Sequence, residues 1–179
     1  VDATEDGALA DKFGVQGYPT LKFFPANSKE AEDYNEAREL DALVSFINRK
    51  VGTQRSADGS LLPSAGRVSS LDEVLSAANF AVDASVVDKL KTAAAALQGK
   101  AVAAGKLYIS FAEKVVSKGA EYVEKELARI EKMAASPSIK PDAKAAFQLK
   151  RNILRAFNAV TAKIEEVAAA VESDYSDEL

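Results

Sequence analysis

The chain has 179 residues, 47% of them apolar and 28% charged, with a formal net charge of −4, the balance of an ordinary globular protein. It contains neither cysteine nor histidine, which removes thiol chemistry from these residues and most of the ligands that a transition-metal site needs. No apolar run approaches the 18 or so residues that cross a bilayer, and no residue pattern calls for a cofactor.

Residues 1–51 read as β-α-β-β-α. The chain opens on a strand-like Val1-Asp2-Ala3, which suggests the C-terminal part of a longer protein. Thr4 or Asp6 can cap a short helix that carries Leu9 and Phe13 and stops at Gly14. Phe13-Gly14-Val15-Gln16-Gly17-Tyr18-Pro19-Thr20 then turns into a strand at Leu21 to Phe24, ended by Pro25. A turn around Asn27 leads to a short edge strand near Asp33-Tyr34. A helix from about Arg38 to Val51 carries Leu40, Leu43, Val44 and Ile47 on one face and stops at Gly52. Residues 52–67 lack periodicity, are rich in Gly, Ser and Pro, and read as a linker.

From Val68 the chain is helical and rich in alanine. Ser70-Leu71-Asp72-Glu73 has the form of a capping box opening a short helix to about Phe80. Ser85-x-x-Asp88 is a weaker start for a helix with Val87, Leu90, Ala94 and Leu97, closed at Gly99. The next stretch places Leu107, Phe111, Val115, Val123, Leu127 and Ile130 at helical spacing, with Gly119 marking a bend or a close approach to another helix. After Pro137 and Pro141, the last helix carries Leu149, Ile153, Phe157, Val160, Ile164, Val167 and Val171, an unbroken apolar stripe. Four or five helices packed as a small bundle are expected over 68–175. The tail 176–179 follows an acidic stretch of poor helix formers, Glu172 to Ser176.

Charge is unevenly spread along these segments. Residues 1–67 carry 8 basic and 11 acidic side chains, residues 68–171 carry 15 and 12, and the last eight residues carry acids alone. The basic surplus of the helical part is interleaved along helix faces rather than massed with aromatic platforms, so no nucleic-acid partner is expected.

The stretch from Val1 through Gly14, Gly17-Tyr18-Pro19-Thr20 and Leu21-Lys22-Phe23-Phe24-Pro25 to the helix around Phe46 resembles the second half of a catalytic thioredoxin domain of the protein disulfide isomerases. Residues 68–179 resemble the all-helical C-terminal domain of short fungal and plant disulfide isomerases, shared with a redox-inactive endoplasmic-reticulum chaperone. The fold this implies is an α+β fragment: an incomplete thioredoxin half-domain followed by an all-α bundle. The resemblance implies a cis Tyr18-Pro19 bond and a peptide-contacting role for Gly17, Tyr18, Pro19 and Thr20. It also places the redox Cys-x-x-Cys outside this chain, which therefore contains no catalytic residue and no metal site. Ser176-Asp177-Glu178-Leu179 resembles the Lys/His-Asp-Glu-Leu retention signal, departing from it at Ser176, and implies residence in the endoplasmic-reticulum lumen. The partners implied are unfolded or disulfide-bonded client proteins and a retention-signal receptor, with self-association a further option and no membrane insertion.

Three readings compete. The first is the C-terminal portion of a disulfide isomerase. The second is a redox-inactive client-binding module, in which Tyr108, Phe111, Tyr122, Phe147 and Phe157 would be exposed aromatics. The third, an amphipathic membrane-surface protein, lacks the interfacial pattern it requires. The acidic tail lacks EF-hand spacing for calcium. Glu165 and Glu166 fall on different helix faces and make no acid-base dyad.

Overall fold

The computed structural model describes residues 2, 4–78 and 81–176, with side chains as far as Val160. The expected first strand at Val1 to Ala3 and the residues Asn79, Phe80 and Asp177 to Leu179 lie outside the described residues, as do the side chains of Ile164, Glu165, Glu166, Val167, Val171 and Ser176. The chain divides into two compact units, Val1–Gly59 and Ser60–Leu179.

In the first unit, α1 (Gly7–Lys12) begins where the Asp6 carboxylate accepts from the Leu9 amide, an N-cap. It ends in a left-handed Gly14 with φ +62°. There the Val15 amide bonds the Ala10 carbonyl and the Gly14 amide bonds that of Asp11, so the last carbonyls are satisfied in a Schellman arrangement. Strands β1 (Lys22–Phe23) and β2 (Glu32–Asp33) pair antiparallel, Lys22 opposite Asp33 and Phe23 opposite Glu32. β1 is shorter than the expected Leu21 to Phe24, and β2 sits one residue before the expected Asp33-Tyr34. Helix α2 (Leu40–Val51) is closed by a left-handed Gly52.

The buried face of α2 differs from the expected one. Phe46 is the buried residue, meeting Phe23 and Tyr34 edge-on at 5.6 and 4.9 Å. Leu40 and Ile47 are 61% and 48% exposed. Leu40, Leu43, Val44 and Ile47 do share a face, but the hairpin lies against the neighbouring one, and two short strands cannot cover both.

Among its described residues the second unit contains five helices: α3 (Ser69–Ser76), α4 (Ala84–Ala95), α5 (Lys100–Lys118), α6 (Glu121–Ala134) and α7 (Pro141–Ser176). Their core gathers Leu71 and Leu75 of α3, Val86 and Leu90 of α4, Tyr108 and Phe111 of α5, Val123 and Ile130 of α6, and Ile153, Leu154 and Phe157 of α7. Phe157 lies 6.0 Å from Tyr108 and 6.3 Å from Phe111 between ring centres. Tyr108, Phe111, Tyr122 and Phe157 are all buried and Phe147 is half-buried, so these aromatics form core rather than an exposed groove.

Several expected boundaries shift for identifiable reasons. Ser70 is not a cap: α3 starts at Ser69 after Val68, with no side-chain cap. The carboxylate of Asp72 is engaged instead by the Tyr108 hydroxyl at 2.6 Å and by Arg67 at 2.9 Å. The cap of α4 is Asp83, which accepts from the Val86 amide, and Ser85 donates to that same carboxylate. Gly119, at φ +86°, ends α5 and separates it from α6 rather than bending one helix. The close helix approach is at Gly105, where a methyl group would stand 2.9 Å from Leu97 and 3.3 Å from Ala94. Helix α7 continues to Ser176 through the acidic stretch expected to be poor in helix.

Residues 52–67 are not a loose linker. The Asn48 side chain donates to the Arg55 carbonyl at 2.7 Å and accepts from Thr53 and from the Arg55 amide. Beyond the division at Gly59, the segment lies along α7. The Leu61 amide donates to Gln148, and the buried Asn152 amide donates to the carbonyls of Leu62 and Ala65 at 2.8 and 3.0 Å. Gly66, at φ +78°, approaches Leu149 so closely that a methyl group would meet its side chain at 2.6 Å.

Candidate functional site

The Schellman end of α1 delivers the chain into the turn Gly17-Tyr18-Pro19-Thr20, where the Tyr18–Pro19 peptide is cis. Two bonds help to fix the turn. The Thr20 hydroxyl donates to the Gly17 carbonyl at 2.6 Å. The Arg38 guanidinium, nineteen residues on, donates to the Pro19 carbonyl at 2.7 Å. Immediately after the turn, the Tyr34 amide donates to the Leu21 carbonyl at 3.0 Å, extending the pairing of β1 with β2. Sequence reasoning identified the four turn residues but not Arg38, because a long-range bond to a main-chain oxygen leaves no motif.

An apolar cleft of about 340 Å³ adjoins the turn, lined by Leu9, Ala10, Phe13, Val15, Tyr18, Thr20, Lys22 and Phe24. Phe13 and Phe24 meet edge-to-face at 5.2 Å. Tyr18 is 60% exposed and Phe24 47% exposed. Lys22 contributes its methylene stem while its ammonium pairs with Asp33 across the strands, as amphipathic lysines do at apolar edges. The turn therefore presents main-chain groups and the Thr20 hydroxyl beside apolar side chains.

Nearby, burial and then the Glu36 and Glu39 carboxylates push the Tyr34 phenol above its ordinary value, and its hydroxyl donates to the Ala37 carbonyl. In the helical unit, the group shifted furthest is Tyr108. Burial first, then its bond to Asp72, pushes its phenol up. With the Val68 amide donating to the same hydroxyl, this network joins α5 to the start of α3. Its polar atoms are satisfied, and it has the character of a structural tie rather than a reactive site. Among the described residues no group of three or more His, Cys, Asp or Glu could hold a metal ion, and no helix is long and apolar enough to cross a membrane. Of the retention-like tail, Ser176 ends α7, and Asp177, Glu178 and Leu179 lie outside the described residues.

Comparison with known proteins divides the chain as its structure does. Residues 1–49 match the thioredoxin family, and residues 66–157 match the family described as endoplasmic reticulum protein ERp29, C-terminal domain. Protein disulfide isomerase-like 2-2 of Oryza sativa subsp. japonica is 43% identical over 162 residues, 88% of this chain and 43% of that protein. Protein disulfide-isomerase tigA of Aspergillus niger is 40% identical over 156 residues, 87% of this chain and 42% of that protein. Protein disulfide-isomerase of Gallus gallus is 49% identical over 53 residues, 29% of this chain and 10% of that protein. The chain thus spans less than half the length of the first two, and it lacks the cysteines of a thiol-disulfide site. Its 66–157 region places it in the family of the ERp29 C-terminal domain, preceded by part of a thioredoxin fold, and across both modules it is similar to the protein disulfide isomerases.

Proposed function

We propose that this polypeptide is the C-terminal portion of a protein disulfide isomerase of the endoplasmic-reticulum lumen. The order of the two modules, matched across 88% of the chain by a relative named as a disulfide isomerase, carries this reading. In it, Gly17, Tyr18, Pro19 and Thr20 form a wall against which an unfolded client is held. Disulfide exchange proceeds by thiolate attack on a disulfide sulfur through a mixed disulfide, with both sulfurs of the enzyme supplied by a segment that this chain lacks. The apolar cleft and the exposed Leu40 and Ile47 of α2 give that segment apolar surface to bury. Residues 60–175 serve as a helical accessory domain, and Ser176-Asp177-Glu178-Leu179 is the address read by a retention receptor.

Insulin reduction in glutathione buffer tests the assignment. The 179-residue chain alone should give no turnover above the protein-free control, because none of its side chains forms a mixed disulfide. The same chain extended upstream through a thioredoxin-type strand-helix corner with Cys-x-x-Cys should turn over. Turnover by the chain alone, or none by the extended one, defeats the reading.

A second reading, client holding without redox chemistry, draws on the absence of cysteine and the exposed apolar side chains of the first unit. Suppression of client aggregation at stoichiometric amounts by the extended protein with both cysteines replaced would favour it.

A further inference from the structure

The residues around the turn place Arg38 in an unusual position. It is flanked in sequence by Glu36 and Glu39, yet its hydrogen bond goes to neither carboxylate but to the Pro19 carbonyl at 2.7 Å. Glu36 is already engaged: both of its oxygens accept from Arg49 of α2, at 2.5 and 2.7 Å. The clamp of Arg49 on Glu36 leaves the Arg38 fork to reach the turn.

We infer that Arg38 is a positioning residue for the peptide-contacting turn, fixing the Pro19 carbonyl so that the Gly17–Thr20 backbone meets an extended peptide in one orientation. This rests on the peptide-wall role proposed above. The physical basis is that a hydrogen bond from an ionised donor is stronger and more directional than a neutral one. Its lever is long: Thr20 bonds Gly17 within the turn, and Leu21 and Tyr34 join the strands beyond it. Arg38 joins it to the segment that leads into α2. Arginine suits this task better than lysine because its planar fork is preorganised. A bound peptide would then find the edge already set, with less ordering to be done on association.

The test uses the full chain with fluorescein-labelled, reduced and carboxymethylated lactalbumin as the unfolded probe, in parallel with NMR of the free chain. Arg38→Gln should weaken probe binding about fivefold to tenfold, the loss of one charge-assisted bond. It should shift the Pro19 carbonyl carbon resonance and accelerate amide exchange at Thr20 and Leu21, while the unfolding midpoints of both units stay unchanged. Arg38→Lys should recover part of the affinity. Arg49→Gln, which frees Glu36 to compete for Arg38, should move the same resonances in the same direction by less.

If Arg38→Gln leaves the Pro19 carbonyl and the Thr20 and Leu21 amides unmoved, Arg38 does not position the turn, whatever the probe does. If they move and the affinity holds, the positioning has no bearing on binding and the inference is overturned on that count. If the unsubstituted chain binds no probe, the peptide-wall reading fails first, and the role of Arg38 fails with it.

Discussion

The two units handle apolar surface in opposite ways. Among the described residues, the first buries only Ala10, Tyr34 and Phe46, and it exposes Tyr18, Leu21, Phe24, Leu40, Ile47 and Val51. The second buries nineteen apolar residues and exposes Val102, Val116 and Met133. The difference lies in how each architecture finds partners for its apolar faces. Helices joined by short connections bury their stripes against sequence neighbours. A two-stranded ribbon with two helices has two faces and too few strands to cover them, and such a sheet is marginal alone. Part of the apolar surface left open in the first unit, at Tyr18 and Phe24, lines the cleft beside the turn Gly17 to Thr20.

The largest test of this contrast is in the helical core. Phe157 is fully buried against Tyr108 and Phe111. Phe157→Ala should cost about 3–5 kcal/mol in urea unfolding of the helical unit. The matched change in the first unit, Ile47→Ser at a site 48% exposed, should stay within about 0.5 kcal/mol. Equal costs would remove the distinction.

Next in size is the tie between α7 and the 60–67 segment. Asn152→Ala strands the buried Ala65 carbonyl, while that of Leu62 keeps the Ala65 amide. Loss of about 1–3 kcal/mol is expected from one unsatisfied buried group. Faster amide exchange from Leu61 to Gly66 should accompany it. A change confined to α7 would show that the segment contributes nothing to the helical unit.

Hydrogen exchange of the unsubstituted chain sharpens the same comparison. Amides of α5, α6 and the first half of α7 should exchange near the rate of global unfolding of their unit, and those of Lys22 and Phe23 much faster, because few buried contacts hold the ribbon closed. Similar protection in both places would mean that the first unit is stabilised by something beyond its own core.

The smallest effect is electrostatic. The bond from Arg129 holds the Glu126 carboxyl below its ordinary 4.5, with Arg129, Lys114 and Lys150 adding attraction. A carboxyl with a depressed folded-state pKa stabilises the fold fully above its unfolded value and loses that contribution as pH falls through the folded one. The helical unit should therefore weaken as pH falls below about 4.5, and Glu126→Gln should flatten part of that slope in urea midpoints. An unchanged slope would assign the acid sensitivity to other carboxylates.

The features legible in the sequence were those governed by short-range chemistry. Asp6, one of two candidates, caps α1, and Gly14 and Gly52 end α1 and α2 in left-handed conformations that favour glycine. The 3–4 spacing of Ile153, Phe157 and Val160 identified the buried face of α7. The turn Gly17 to Thr20 was legible because its residues are contiguous. What escaped the sequence depends on partners far along the chain. Asp72 looked like part of a capping box, but Tyr108, thirty-six residues on, takes its carboxylate. Residues 60–67 looked like a linker, since nothing local reveals that Asn152 reaches them from about ninety residues away.

On its own, then, the sequence determined the helix-strand-strand-helix order over residues 7–51, the division into a mixed unit and a helical unit, and the lack of any thiol in these residues, because each follows from residue type and local periodicity. Tertiary structure alone decided which face of α2 is buried, since the stripe of Leu40, Leu43, Val44 and Ile47 has the right period but the hairpin places Phe23 and Tyr34 against Phe46. It alone decided that Arg38 holds the Pro19 carbonyl, because a guanidinium with carboxylates on both sides in sequence chooses its partner by which acceptors other side chains have already taken.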